Sequence, residues 1–218
     1  MASALLQPIR EMQGSEKLTQ TWERLQELFT GRAVPEPFAF YAHCSVFLQD
    51  FYMNFKKYCW NDGKLDSRSK AVVCYAVSAS AGCALWAKVF EQRLQELGGP
   101  PPADILAVTA TCSMYNTFFK FRDLSGSDLF QGLPVGLRAH TFAGTALDEK
   151  CVELVNVVIS DINGCKPCTS GHVAKARELG WSDDAILEAI QAASTLQGGI
   201  VFLRMCAGNS TGEPCRTV

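Results

Sequence analysis

Residues 147–180 read LDEKCVELVNVVISDINGCKPCTSGHVAKARELG, and two features of this stretch decide the fold. Its apolar residues recur at helical rather than alternating spacing, which predicts helices over about 148–162 and 165–179. It also has an echo 82 residues earlier, LDSRSKAVVCYAVSASAGCALWAKVFEQRLQELG at 65–98. Without a gap the two share Leu65-Asp66 with Leu147-Asp148, Val73 with Val155, and Ser78 with Ser160. They also share Gly82-Cys83 with Gly164-Cys165, and Glu96-Leu97-Gly98 with Glu178-Leu179-Gly180. That is nine identities in 34 positions, where unrelated segments of ordinary composition give roughly two or three. The pattern implies an internal duplication of a helical unit.

The rest of the chain carries the same period. Leu18, Trp22, Leu25, Leu28 and Phe29 form one apolar helical face over 16–29, and VPEP (34–37) ends it. A long aromatic-rich helical segment is expected from about Phe38 to Trp60, followed by a turn at WNDGK (60–64). Asp66 suits a helix N-cap, and GGPPP (98–102) suits the entry to a helix running to about Phe121. SGSDLFQGLP (125–134) reads as loop, and 183–206 as a last helix. No strand pattern appears, so the fold class is all-α. The expected layout is a flexible segment at 1–15, one domain at 16–206 and a polar tail at 207–218. Within the domain a degenerate repeat spans about 65–122, and an active repeat about 147–205.

Composition narrows the function. A net charge of −2 and the lack of a Lys/Arg cluster among aromatics argue against nucleic acid and anionic membrane surfaces as partners. MASALLQPIREMQGSEK, at the start, lacks the pattern of a secretory signal. The uncharged run Ala71–Ala87 falls short of the ~20 residues a spanning helix needs and reads as a buried helix. Ten cysteines without a signal point to a reducing cytoplasm rather than a disulfide framework. Two weak motifs, Asn209-Ser210-Thr211 and the terminal CRTV containing Cys215, are set aside as glycosylation and prenylation signals.

The chemistry concentrates at Cys165, Cys168 and His172. Proline is tolerated in a helix only within its first turn, so Pro167 places Cys165 at or near the N-cap. Unpaired N–H groups and the helix dipole favour a thiolate there, while burial opposes it. At i, i+3 and i+7 the three side chains share one face, close enough for a disulfide and for a base to serve Cys168. The residues alone leave open a redox dithiol, part of a metal site, or two core thiols. In the first copy Trp86, Phe90 and Ala71 stand at the places of Cys168, His172 and Glu153. These are replacements that suit packing. Glu153, Asn156 and Ser160 form a polar stripe that pattern alone reads as a solvated helix face. Turned toward His172, Glu153 would instead set the imidazole tautomer and accept a proton.

Glu153, Cys165, Cys168 and His172 together reproduce the E-x11-C-x-x-C-x3-H pattern of the AhpD-like alkylhydroperoxidases, within the carboxymuconolactone decarboxylase/AhpD superfamily. SDINGCKPCTSGH (160–172), MYNTFFKFRDL (114–124) and LPVGLRAH (133–140) resemble the same family, over about Leu65 to Met205. The resemblance implies an all-helical duplicated fold, a trimeric or hexameric homo-oligomer and thiol-dependent reduction of hydroperoxides. It implies Cys168 as the attacking thiol and Cys165 as the resolving and partner-exchanging one. His172 and Glu153 would relay protons. No tightly bound cofactor is implied. Electrons would come from a dithiol such as a lipoyl group or a thioredoxin-like protein, and could pass to the peroxiredoxin AhpC. One departure stands out: the family's AhpD proteins carry a second histidine just before the second cysteine, where this chain has Pro167. The relay here must be shorter or water-bridged.

Two other readings have distinct signatures. A γ-carboxymuconolactone decarboxylase-like lyase would work by acid–base chemistry and needs no CxxC pair. A structural zinc module would take Cys165, Cys168 and His172 but needs a fourth ligand, with Cys151 or Glu153 as candidates.

Overall fold

The computed structural model describes residues 6–10 and 15–207. Among these it forms α1 (Glu16–Leu28), α2 (Glu36–Tyr41), α3 (Ser45–Asn54), a π-helix (Phe55–Trp60), α4 (Ser67–Ser80), α5 (Ala84–Glu96) and α6 (Pro102–Ser125). The short α7 (Asp128–Gln131) and α8 (Thr141–Gly144) follow, then α9 (Glu149–Ile162), α10 (Lys166–Glu178) and α11 (Asp183–Ala207). No strand occurs among the described residues, so the fold is all-α. Residues 208–218, with most of the expected tail and both weak motifs, lie outside the described set.

The matching sequences fold into matching hairpins. Asp66 accepts the Ser69 N–H at 2.7 Å, and Asp148 accepts the Cys151 N–H at 2.8 Å, so both first helices carry an aspartate N-cap. Both then end in a Schellman turn. Cys83 N–H donates to Ser78 O at 2.9 Å and Cys165 N–H to Ser160 O at 3.0 Å, around glycines with φ of +65° and +64°. A side chain at either glycine would be strained, which explains why Gly82 and Gly164 recur. The second helices start at N-caps of one conformation, Cys83 (φ −90°, ψ 89°) and Cys165 (φ −92°, ψ 89°).

Three expected boundaries are corrected. The stretch Ala71–Ala87 is the buried α4 followed by the start of an amphipathic α5, because the Gly82 turn reverses the chain at 81–83. The segment from Phe38 to Trp60 is also not one helix. It breaks after Tyr41, where Cys44 takes an extended N-cap conformation (φ −130°, ψ 97°), and finishes as the π-helix. The loop at 125–134 contains α7, and α6 runs on to Ser125, where Gly126 turns left-handed at φ +60°. Within the segment 1–15, Leu6 N–H donates to Cys206 O at 3.4 Å and Ile9 N–H to Ala39 O at 3.1 Å.

The first hairpin is built into an aromatic core. Trp86 and Phe90, both fully buried, pack among Phe38, Tyr41 and Phe55, and Trp86 Nε1 donates to Tyr41 Oη at 2.9 Å. Beside this core lies a buried ion pair. Lys70 Nζ is 3.2 Å from Glu188 Oε1 and also donates to the carbonyls of Lys57 (2.9 Å) and Asn61 (2.6 Å). Glu188 Oε2 accepts the Leu65 N–H at 2.6 Å. Every charge and spare carbonyl is thereby satisfied, and the π-helix, α4 and α11 are tied together. The helix α11 is long and apolar enough over Asp183–Cys206 to cross a membrane by length and composition, yet half of that stretch is buried inside the fold.

Candidate active site

The candidate chemistry collects where α6, α8, α9 and α10 meet. Pro167 sits in the first turn of α10 with Cys165 at its N-cap. Cys165 and Cys168 are joined as a disulfide with Cα atoms 5.3 Å apart. Their exposure differs: Cys165 is fully buried, while Cys168 is 8 % exposed and lines a cavity of about 400 Å³. The cavity wall comprises Tyr115, Phe119, Ala139, Phe142, Pro167, Gly171 and His172. It is predominantly apolar, and Tyr115 spends its hydroxyl on Leu137 O at 2.8 Å.

His172 joins this cavity to α9. Its Nδ1 lies 2.7 Å from Glu153 Oε2, with both side chains partly buried. An ionised carboxylate has no proton to give, so Nδ1–H is the donor, and this tautomer leaves the Nε2 lone pair for the cavity that Cys168 shares. Structure thus brings together all four residues that the sequence singled out.

The polar stripe on α9 is not a solvated face. Asn156 and Ser160 are fully buried and Glu153 is mostly so, because α6 packs over them. Asn116 Nδ2 donates to Ser160 Oγ at 2.8 Å, and Asn163 Nδ2 to Asn116 Oδ1 at 2.9 Å. Asn156 Nδ2 lies 3.5 Å from Glu153 Oε1, and its own Oδ1 is buried without a partner. Cys112 joins this layer, its Sγ 3.5 Å from Ser160 Oγ. Burial, with the Glu153 charge adding to it, pushes the thiol up to about 11 against donors that pull the other way. Cys151, near the start of α9, is pushed up to about 12, first by burial and then by Asp148. Neither is a ready nucleophile near neutral pH.

Of the cavity wall, sequence reading singled out Pro167 and His172 but gave no role to Tyr115, Phe119 or Phe142. Tyr115 and Phe119 stand one turn apart on α6, a spacing shared by any core-facing pair, and Phe142 comes from a four-residue helix with no pattern of its own. Among the described residues no group of three or more His, Cys, Asp and Glu side chains is arranged to hold a metal ion.

Residues 128–207 match the carboxymuconolactone decarboxylase family. The alkyl hydroperoxide reductase AhpD of Solibacter usitatus is 36% identical over 92 residues, 42% of this chain and 52% of that protein. AhpD of Coxiella burnetii is 30% identical over 110 residues, 50% of this chain and 62% of its own length. AhpD of Acidobacterium capsulatum is 30% identical over 125 residues, 57% of this chain and 68% of that protein. The chain therefore spans about half to two thirds of the length of these relatives. These matches place the chain in the AhpD-like family of the carboxymuconolactone decarboxylase/AhpD superfamily.

Proposed function

We propose that the chain reduces organic hydroperoxides through a Cys165/Cys168 dithiol–disulfide cycle. The observation that carries this reading is the Glu153–His172 hydrogen bond beside a cavity-lining Cys168. In the reduced protein His172 Nε2 takes the Cys168 proton, and the carboxylate of Glu153 stabilises the imidazolium. The thiolate attacks the distal oxygen of ROOH and the O–O bond breaks. The alkoxide leaves as ROH with the proton held on His172, and Cys168 becomes a sulfenic acid. Cys165 then attacks that sulfur, forming the disulfide and releasing water. Two thiols are oxidised and one hydroperoxide is reduced to alcohol and water, so atoms and electrons balance.

A dithiol must then reset the site, with a lipoyl group or a thioredoxin-like protein as donor. The family resemblance implies partner exchange at Cys165, but Cys165 is fully buried here, so this reading directs the exchange to Cys168, the sulfur that lines the cavity. Cys165 then departs as a thiolate at the positive end of α10. Pro167 in the position of the missing histidine leaves Glu153 and His172 as the relay, and service to AhpC is correspondingly weaker. Leu124, Leu129 and Leu133 are 75 %, 81 % and 56 % exposed. That apolar surface supports a homo-oligomer. The dithiol favours this reading over the decarboxylase chemistry that names the wider family.

The test is a thiol count. Reduced protein is mixed with one equivalent of cumene hydroperoxide, and free thiols are titrated before and after. Wild type is expected to lose two thiols, with neither Cys165→Ser nor Cys168→Ser forming the intramolecular disulfide. Full turnover by Cys168→Ser would overturn the mechanism.

A further inference from the structure

The two hairpins contain an internal comparison. Asn156 falls at the place of Cys74, and Glu153 at the place of Ala71, in elements with equal caps and equal turns. All four side chains are buried, wholly or mostly, so a small apolar residue fills the Asn156 place where no carboxylate stands nearby. The amide occurs only in the hairpin that carries the carboxylate.

Packing alone does not explain it. Asn156 is fully buried, yet its Oδ1 has no hydrogen-bond partner, and a buried acceptor without a donor destabilises the fold. The side chain makes one contact that bears on chemistry, Nδ2 to Glu153 Oε1 at 3.5 Å. The other carboxylate oxygen, Oε2, holds His172 Nδ1 at 2.7 Å. A carboxylate gripped only by the imidazole can rotate about its terminal torsion, a broad two-fold well. A donor on the second oxygen fixes the plane and directs the first at the ring.

We infer that Asn156 is a positioning residue of the relay, holding the Glu153 carboxylate in the orientation that fixes the His172 ring. The inference rests on the peroxidase reading for its kinetic consequence, but the ring geometry can be measured without substrate. Asn156 acts through Glu153 and touches neither the sulfur nor the cavity wall.

The experiment compares wild type with Asn156→Val and Asn156→Ser in three measurements. Melting temperature comes first: Asn156→Val, which removes the orphan acceptor and keeps the site filled, is expected to melt no lower than wild type. Kinetics with cumene hydroperoxide follow. Asn156→Val is expected to lose about tenfold in kcat with KM within about twofold, the usual scale for removing an outer hydrogen bond that orients a reacting group. Asn156→Ser, which keeps a shorter donor, is expected to recover part of the loss. Finally, nitrogen-15 NMR of the His172 Nδ1–H should show proton exchange with water about tenfold faster in Asn156→Val. A variant that melts much lower, with kcat and Nδ1–H exchange changed only in proportion to unfolding, would make Asn156 structural and overturn the inference. Unchanged kcat and exchange would overturn it as well. A wild type that fails to consume hydroperoxide sinks the functional reading, and the NMR comparison then still decides the role of Asn156.

Discussion

Lys70 Nζ stands 3.2 Å from Glu188 Oε1, although the two residues are on α4 and α11 and their side chains are 0 % and 8 % exposed. Two charges this deep persist only when each remaining donor and acceptor is satisfied, as the Lys57, Asn61 and Leu65 contacts achieve. Lys70→Met should therefore leave the buried Glu188 without its counter-charge, at a cost of about 3–5 kcal/mol. At this chain length that corresponds to a melting temperature lower by about 10 °C. The double variant Lys70→Met/Glu188→Leu should regain a large part, since no charge is then stranded. Calorimetry on the three proteins checks this, and a single variant within 1 kcal/mol of wild type would contradict it.

The Glu153–His172 pair predicts a different loss. Glu153→Gln keeps the volume and can still accept from Nδ1–H, but a neutral amide stabilises an imidazolium poorly. The rate of thiol loss with tert-butyl hydroperoxide should fall about a hundredfold, a typical contribution for an acid–base group. His172→Phe should fall comparably, and the double variant hardly further, because the two act as one unit. Losses that multiply would show that the two act separately.

How much of this was readable beforehand depended on the range of the signal. Asp66 as an N-cap and Pro167 as the start of α10 follow from local backbone rules, and the structure has both. The break after Tyr41 was hidden because Phe38, Tyr41, Phe47 and Phe51 serve one aromatic core from two helices, so the apolar period continues through the turn. The burial of Asn156 and Ser160 was unreadable for another reason. A polar stripe looks the same whether it meets water or the Asn116 side chain of a helix some forty residues away. The Lys70–Glu188 pair likewise needs two partners 118 positions apart in sequence. Long-range contacts between polar groups leave no period behind them.

The thiols of Cys112 and Cys151 make a pH prediction with a definite sign. Both lie above their ordinary value of 9.0, at about 11 and about 12, chiefly because burial disfavours the thiolate. The unfolded chain ionises its cysteines first, so the stability these groups contribute is complete below about pH 9. It drains away as pH rises through the window up to 11 and 12. Urea unfolding of the reduced protein should show stability falling between pH 9 and 10.5, and Cys112→Ala should flatten part of that slope. Iodoacetamide at pH 8 should label reduced Cys168 well before the fully buried thiol of Cys112. Equal labelling rates would mean the burial is not maintained in solution.

The difference between a buried Cys165 and a cavity-facing Cys168 predicts where a reductant becomes trapped. A dithiol entering the cavity attacks Cys168 Sγ, and its second thiol clears the mixed disulfide. In the reverse direction the Cys168 thiolate attacks the carrier's disulfide, and Cys165 clears that adduct by closing the Cys165–Cys168 bond. In Cys165→Ser that closing step is lost. Reaction with an activated lipoyl disulfide should therefore leave a stable adduct on Cys168, found by peptide mass spectrometry. In Cys168→Ser the adduct on Cys165 should form far more slowly, because the remaining thiol of the pair is buried. A faster adduct on Cys165 than on Cys168 would reverse the assignment.

Gly171 separates the cavity from the stability of its own helix. It lies inside α10, it lines the cavity, and a Cβ built there meets no atom within 4 Å. Gly171→Ala should consequently stabilise the fold by about 0.5–1 kcal/mol, since a mid-helix glycine is entropically costly. Activity should barely change, because one methyl leaves most of the volume free. Gly171→Leu fills the mouth beside Cys168, and its KM for cumene hydroperoxide should rise at least tenfold, the effect of a few misplaced methylenes. Hydrogen peroxide, small enough to pass, should react with both variants at the wild-type rate. If Gly171→Leu slowed the two peroxides equally, the apolar cavity would not be the route by which organic hydroperoxides reach the sulfur.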